Sequence, residues 1–182
     1  MLVLTIQRKD NIQKIVKGNY QPLLWESPYA FLSTRFSKSY TKLNKILCSK
    51  IGKEYISEFT PIWSWVKNPF LEFFSDPSEY VGIFMEINPK KAVFSDYDLY
   101  TEYCQEESEN SDFILSESEL NNAKCVQCVS EIEPQNIRLI VSLRQLMGTP
   151  YESIDDLFVY SLLRLQYIYL AKIKAKSYED YL

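Results

Sequence analysis

Apolar and polar positions divide the chain into ten elements. Leu2–Gln7 reads as a short strand, and Lys9–Lys17 reads as a helix closed by Gly18 at its C′ position. Residues 19–26 read as a loop. Ser27-Pro28 pairs an N-cap with proline at the first helical position and starts a helix to about Ile51-Gly52. On that helix Leu32, Phe36, Tyr40, Leu43 and Leu47 recur at threes and fours and form the predicted core face. Arg35, Lys38, Lys42 and Lys45 recur at the same spacing and form a basic stripe on another face.

Thr60–Val66 reads as a strand that opens with Pro61, where a missing N–H does little harm. Trp63 and Trp65, two apart, point to the same side of it. Pro69–Ser78 is an aromatic-rich connection. Tyr80–Asn88 is nearly continuously apolar, the mark of a central strand, and Lys91–Phe94 is predicted to pair with it through Asn88-Pro89. Ser95-Asp96-Tyr97-Asp98 is a helix start, with Ser95 as N-cap and acids in the first turn. That helix ends before the polar run 105–112, and Ser116–Glu119 caps a short turn. Lys124–Ile132 alternates like a strand. Pro134 then begins a helix ending at Gly148-Thr149-Pro150, and Ser153-Ile154-Asp155-Asp156 caps a last, long helix to about Lys176.

The order is β, α, α, β, β, β, α, β, α, α, with the strands gathered in the middle. It predicts an α+β domain spanning 1–182, with a mixed or antiparallel sheet of about four to five strands and a long C-terminal helix. A length of 182 residues suits one such domain. No apolar run approaches a membrane span, and Met1–Gln7 lacks the basic start and long apolar core of a signal peptide. These features predict a cytoplasmic protein in a bacterial host cell, with no membrane partner and with Cys48, Cys104, Cys125 and Cys128 as free thiols.

Histidine is absent, which excludes Ser-His-Asp and Cys-His catalysis, two-histidine ribonuclease chemistry and imidazole-dependent zinc sites. Four glycines leave neither a dinucleotide fingerprint nor a Walker-type phosphate loop. Aromatics are abundant at 15%. The net charge of −4 conceals a division: residues 1–58 carry ten basic and four acidic side chains, and the remainder carries ten and twenty. No acid falls between Glu26 and Glu54, and no base between Lys91 and Lys124. Such a chain can meet a nucleic-acid backbone with one surface and a basic partner with another; two solvated surfaces are the plainer reading.

Several side chains are candidates for chemistry, each with a plainer alternative. The stripe Arg35, Lys38, Lys42 and Lys45 can track an RNA backbone or be a solvated face. Trp63 and Trp65 can stack bases or pack in the core. Glu86, Asp96 and Asp98 can hold Mg²⁺ or Mn²⁺ for phosphodiester cleavage, although helix capping already accounts for Asp96 and Asp98. Glu86, in an apolar strand, needs a partner or a task. Gln7 and Arg8 at the end of the first strand, joined by Gln127, can contact a nucleotide or serve structural hydrogen bonds. Cys125 and Cys128, three apart on a strand, face opposite sides and make a poor metal pair. The last helix is apolar over a wider arc than one buried stripe needs, enough for core packing and for a dimer or partner contact.

An ordered set of segments over residues 1–140 resembles the bacterial family catalogued as domain of unknown function 3841. The segments are Thr5-Ile6-Gln7, Gly18 with Tyr20, Pro61-Ile62-Trp63-Ser64-Trp65, Met85-Glu86-Ile87 with Pro89, Phe94-Ser95-Asp96-Tyr97-Asp98 and Val126-Gln127. The chain departs from the family where Tyr100 stands in place of a second tryptophan. Leu4-Thr5-Ile6-Gln7 followed by Gly18 also resembles the opening of ADP-ribosyltransferase-like toxins; that resemblance implies NAD gripped near Gln7 or Arg8. Size, acidity, divided charge and a Lys/Ile/Asn/Tyr-rich usage are similar to those of anti-CRISPR proteins of phages and mobile elements. Some of these inhibit Cas9 by causing its guide RNA to be shortened. That profile implies an inhibitor of an RNA-guided nuclease that acts on guide RNA, with ribonuclease-type activity on it. A toxin-type transferase and a non-catalytic protein whose acidic region occupies a basic partner are the alternatives.

Overall fold

The computed structural model describes residues 1–182 except 19, 21, 24–33, 59, 68, 70, 72–75, 106–111, 148–152 and 180–182, and except the side chains of 34, 35 and 170–179. Among the described residues the strands are β1 (Leu2–Arg8), β2 (Ile62–Lys67), β3 (Tyr80–Glu86), β4 (Val93–Asp96), β5 (Ile114–Leu115), β6 (Val126–Ser130) and β7 (Ile137–Ser142). The helices are α1 (Ile12–Val16), α2 (Thr34–Ile51), α3 (Tyr97–Gln105), α4 (Leu143–Leu146) and α5 (Ile154–Glu179). The α+β class and the long C-terminal helix are as expected. The sheet, however, has seven strands in the order β5-β4-β6-β2-β1-β3-β7, and every pairing in it is antiparallel.

The surplus strands arise where local signals mislead. The helix expected from Pro134 is one 3₁₀ turn, Pro134–Asn136, followed by strand β7. Ile137, Ile140 and Val141 are β-branched and fit a pleated surface, and β3 supplies a free edge for them. The residues after Asn88-Pro89 do not return to β3. β1 pairs with β3 along its whole length, from Leu2↔Glu86 to Arg8↔Tyr80, and takes that place. β4 instead lies between β5 and β6. The two-residue edge strand β5 had no counterpart in the predicted elements.

One face of the sheet carries α2, α3, α4 and α5. At its β1-β3-β7 end Leu4, Phe84 and Val141 meet Leu143 and Leu146 of α4 and Ile154 and Leu157 of α5. At its β4-β6-β2 end Val93, Val129 and Trp63 meet Leu43 and Leu47 of α2 and Tyr100 and Cys104 of α3. The other face is covered by Ile15 of α1 and by the connections bearing Leu120, Ala123 and Ile132. Each fully buried Leu, Ile or Phe contributes roughly 1.5–3 kcal/mol. Gly82 of β3 leaves room for α4: a Cβ there would lie 2.3 Å from Leu146 Cδ1.

Two boundary signals are confirmed. Gly18, at φ +73°, closes α1 in the left-handed conformation, and its N–H reaches the Ile15 carbonyl at 3.0 Å. Ser153 caps α5 by accepting the Asp156 N–H at 3.1 Å. A third is displaced by one residue. Asp96, not Ser95, caps α3, accepting the N–H groups of Asp98 at 2.9 Å and Leu99 at 3.1 Å. Ser95 belongs to β4 and is buried. The helix start at Ser27-Pro28 and the core position Leu32 lie outside the described residues.

Candidate functional site

Among the described helices α2 carries the most basic side chains. Its eighteen residues contain no acid. Tyr40, Leu43 and Leu47 are buried on its inner side. On its outer side Lys38, Lys42 and Lys45 are exposed, as the spacing predicted; the side chain of Arg35 lies outside the described residues. The Lys42 ammonium lies 5.0 Å from the centre of the Phe113 ring, and that of Lys45 lies 5.3 Å from the centre of Tyr55. Ring faces position an ammonium without cancelling its formal charge. Among the described residues no carboxylate pairs with Lys38, Lys42 or Lys45. The ridge runs about 10 Å along the helix axis. Farther along, Lys50 is engaged with the Ala92 carbonyl at 2.9 Å, and Lys53 pairs with Glu131.

The two tryptophans share a face, as predicted, and it is the helix-covered one. Trp63 packs edge-on to Tyr40 with ring centres 5.6 Å apart and lies 4.9 Å from Tyr100. Trp65 lies 5.0 Å from Tyr97. Both are half-buried by these rings, so they are packing residues rather than an open stacking platform. Burial drives the Tyr100 phenol far above its ordinary pKa and keeps it neutral beside Ser39, 3.0 Å away.

The carboxylates proposed for metal binding are not brought together. Glu86 ends β3 and Asp96 ends β4, and three strands separate these two in the sheet. Four strand spacings amount to roughly 19 Å. Glu86 is exposed, and its partner is the Arg138 guanidinium of β7. That hydrogen bond, with the attraction of the cation, holds Glu86 below the ordinary carboxylate range and raises Arg138. Asp96 serves as the α3 cap, and Asp98 is exposed in the first turn. Among the described residues no group of three His, Cys, Asp or Glu side chains is placed to hold a metal ion.

Gln7 and Gln127 face opposite sides of the sheet. Gln7 belongs to a polar chain on the face away from α2. Its amide donates to Thr5 Oγ1 at 2.8 Å and its carbonyl accepts from the Tyr20 hydroxyl at 3.2 Å. Thr5 donates in turn to the Trp63 carbonyl at 2.7 Å. Arg8 pairs with Asp10 at 3.5 Å in solvent. Gln127 is buried on the helix-covered face, in register between Ser95 and Trp65. Its amide nitrogen, Ser95 Oγ and the Trp63 indole nitrogen have no hydrogen-bond partner among the described residues.

A cavity of about 180 Å³ opens where α2, β3 and β6 end, and residue patterning did not foresee it. Glu86, Asn88, Lys91, Glu131, Glu133 and Asn136 line it, with the buried Ser130 hydroxyl. Each of its carboxylates already has a cation: Arg138, Lys53 and Lys91 pair with Glu86, Glu131 and Glu133. The residues come from three distant segments, so no local motif announces them. Two of the cysteines are held as thiols by their surroundings. Burial pushes Cys128 up to about 12, and burial with the charges of Asp98 and Asp96 does the same for Cys125. Among the described residues no helix is long and apolar enough to cross a membrane.

No protein family, no curated protein and no solved structure matches the chain, so the resemblances drawn from the sequence rest on their own residues.

Proposed function

We propose that the protein inhibits an RNA-guided nuclease such as Cas9 by engaging its guide RNA along α2. One observation carries this reading. Lys38, Lys42 and Lys45 stand exposed in a row, uncompensated by any carboxylate among the described residues, on a helix locked to the sheet by Tyr40, Leu43 and Leu47. A row of ammonium groups on a fixed helix suits a phosphate backbone, because the backbone that spaces them needs no ordering on binding. The carboxylates once open to a cleavage role have structural work instead, Glu86 with Arg138 and Asp96 at the α3 cap. The reading is therefore one of binding to the guide RNA, with no bond-breaking step assigned to these carboxylates. A second reading has its own support: Asp98, Glu102, Asp112, Glu117 and Glu119 are acids of the base-free stretch and could occupy a basic partner.

The test incubates the protein with guide RNA and the nuclease, then measures intact masses and nuclease activity. Inhibition that Lys38→Glu with Lys42→Glu abolishes is the expected result. Inhibition retained by that double variant overturns the RNA route in favour of the acidic surface. A heavier partner protein beside unchanged RNA, formed only when NAD is supplied, overturns it in favour of a transferase.

A further inference from the structure

The cavity of about 180 Å³ beside Glu86 lies between two connections of the chain, residues 87–91 after β3 and residues 131–136 after β6. Among its described lining residues Glu86, Glu131 and Glu133 are acids and Lys91 is a base, which leaves the wall a surplus of two negative charges. Lys53 and Arg138, the partners of Glu131 and Glu86, are not part of that wall. Each of those two pairs uses one carboxylate oxygen. Glu131 Oε2 and Glu86 Oε1 have no partner among the described residues. The Lys91 ammonium stands 4.0 Å from Glu133, too far for a hydrogen bond.

A second observation is independent of these charges. Ser130 ends β6 and is 4% exposed, and its hydroxyl has no hydrogen-bond partner among the described residues. Ser130 alternates with Cys128 and Val126, which pack with Ile87 on the face away from α2. Ile87 itself lines the cavity, so the hydroxyl lies on the cavity's side of the sheet. A buried hydroxyl left unmet is costly, and here it adds an acceptor to a wall already rich in them.

Such a wall suits a ligand that is cationic and rich in N–H donors. A metal ion does not fit, because among the described residues no group of three ligating side chains is placed to hold one. An organic ammonium carries three donors and can reach separated acceptors through a carbon spacer. Two ammonium groups match the surplus of two charges, and Ile51 and Ile87 offer apolar contact to the methylenes between them. A cavity of about 150 Å³ holds a six-carbon ring, so this one has room for an unbranched diamine of about four carbons.

We propose that this cavity binds a small aliphatic diamine, with one ammonium held by Glu131 and the Ser130 hydroxyl and the other by Glu86. The site does not depend on RNA binding, because no residue of the α2 lysine ridge lines it.

Isothermal titration calorimetry of the full chain with putrescine, the four-carbon diamine, tests the proposal. Saturable binding of one putrescine per chain is expected. Butylamine has the same carbon chain and one ammonium, and should bind about tenfold more weakly or worse. Glu131→Gln keeps the volume and removes the charge, and should weaken putrescine binding about tenfold. Ser130→Ala should weaken it severalfold with circular dichroism and denaturation midpoint undiminished, because the hydroxyl has no partner within the fold. Absence of saturable binding overturns the proposal, as does butylamine binding as tightly as putrescine. Putrescine affinity unmoved by Glu131→Gln, or by Ser130→Ala, overturns it too; the latter would leave the hydroxyl to water alone.

Discussion

Helices α2 and α5 lie on the same face of one sheet and use their outer sides in opposite ways. Their inner sides are alike: Tyr40, Leu43 and Leu47 on α2 and Ile154 and Leu157 on α5 are buried. Outside, α2 presents Lys38, Lys42 and Lys45, and α5 presents Tyr160, Leu163 and Tyr167. The core dictates an inner stripe through packing and desolvation, which leaves little choice beyond size and shape. An outer stripe is under no such demand. When it departs from mixed polar composition, the departure carries information about what it meets: uncompensated cations suit a polyanion, and an exposed apolar row suits an apolar surface.

The comparison is broken most severely from the inside. Leu43→Ala should destabilise the fold by about 2–5 kcal/mol, because Leu43 is fully buried between α2 and β6. Lys42→Ala, one residue earlier and on the outer side, should change stability by no more than about 1 kcal/mol, the scale of an exposed cation–π contact. Chemical denaturation measures both. Equal losses would mean that the lysine ridge belongs to the fold and not to a partner.

A smaller effect concerns the Glu86–Arg138 pair. Arg138 lowers the Glu86 pKa from its ordinary 4.5, so the folded state holds the carboxylate charged more firmly than the unfolded chain does. Its contribution is present above pH 4.5 and fades as the pH falls through the lowered value. An NMR titration should place the Glu86 midpoint below the ordinary carboxylate value, and Arg138→Gln should move it back up. A midpoint unmoved by Arg138→Gln would show that the pair does not form in solution. The stability change should be slight, because both groups are exposed and solvent screens them.

Signals spanning a few residues were legible in the sequence. Gly18 stopping α1, Ser153 starting α5, the core face of α2 and the apolar run of β3 all depend on neighbours within a turn or two. Sheet order depends on partners far away and was not legible. Val81 pairs with Ser142 and Phe84 with Leu139, so β7 is a strand because β3 offers an edge. By itself, Ile137–Val141 behind Pro134 resembles a helix start. That misreading also hid the answer to Glu86, whose partner Arg138 was assigned to a helix on another element. The lysine ridge was visible because a helical stripe is local. The cavity beside Glu86 was not, because it gathers residues from β3, β6 and the end of α2.

The central claim is that α2 meets RNA through charge alone, and the salt dependence of binding tests it most directly. A ridge of about 10 Å faces roughly three phosphates, so log K for single-stranded guide RNA should fall against log salt with a slope near −2. With Lys38→Glu and Lys42→Glu together, the residual slope should approach zero and affinity should be lost, while the fold is retained. An affinity and slope unchanged by the two substitutions would contradict the account.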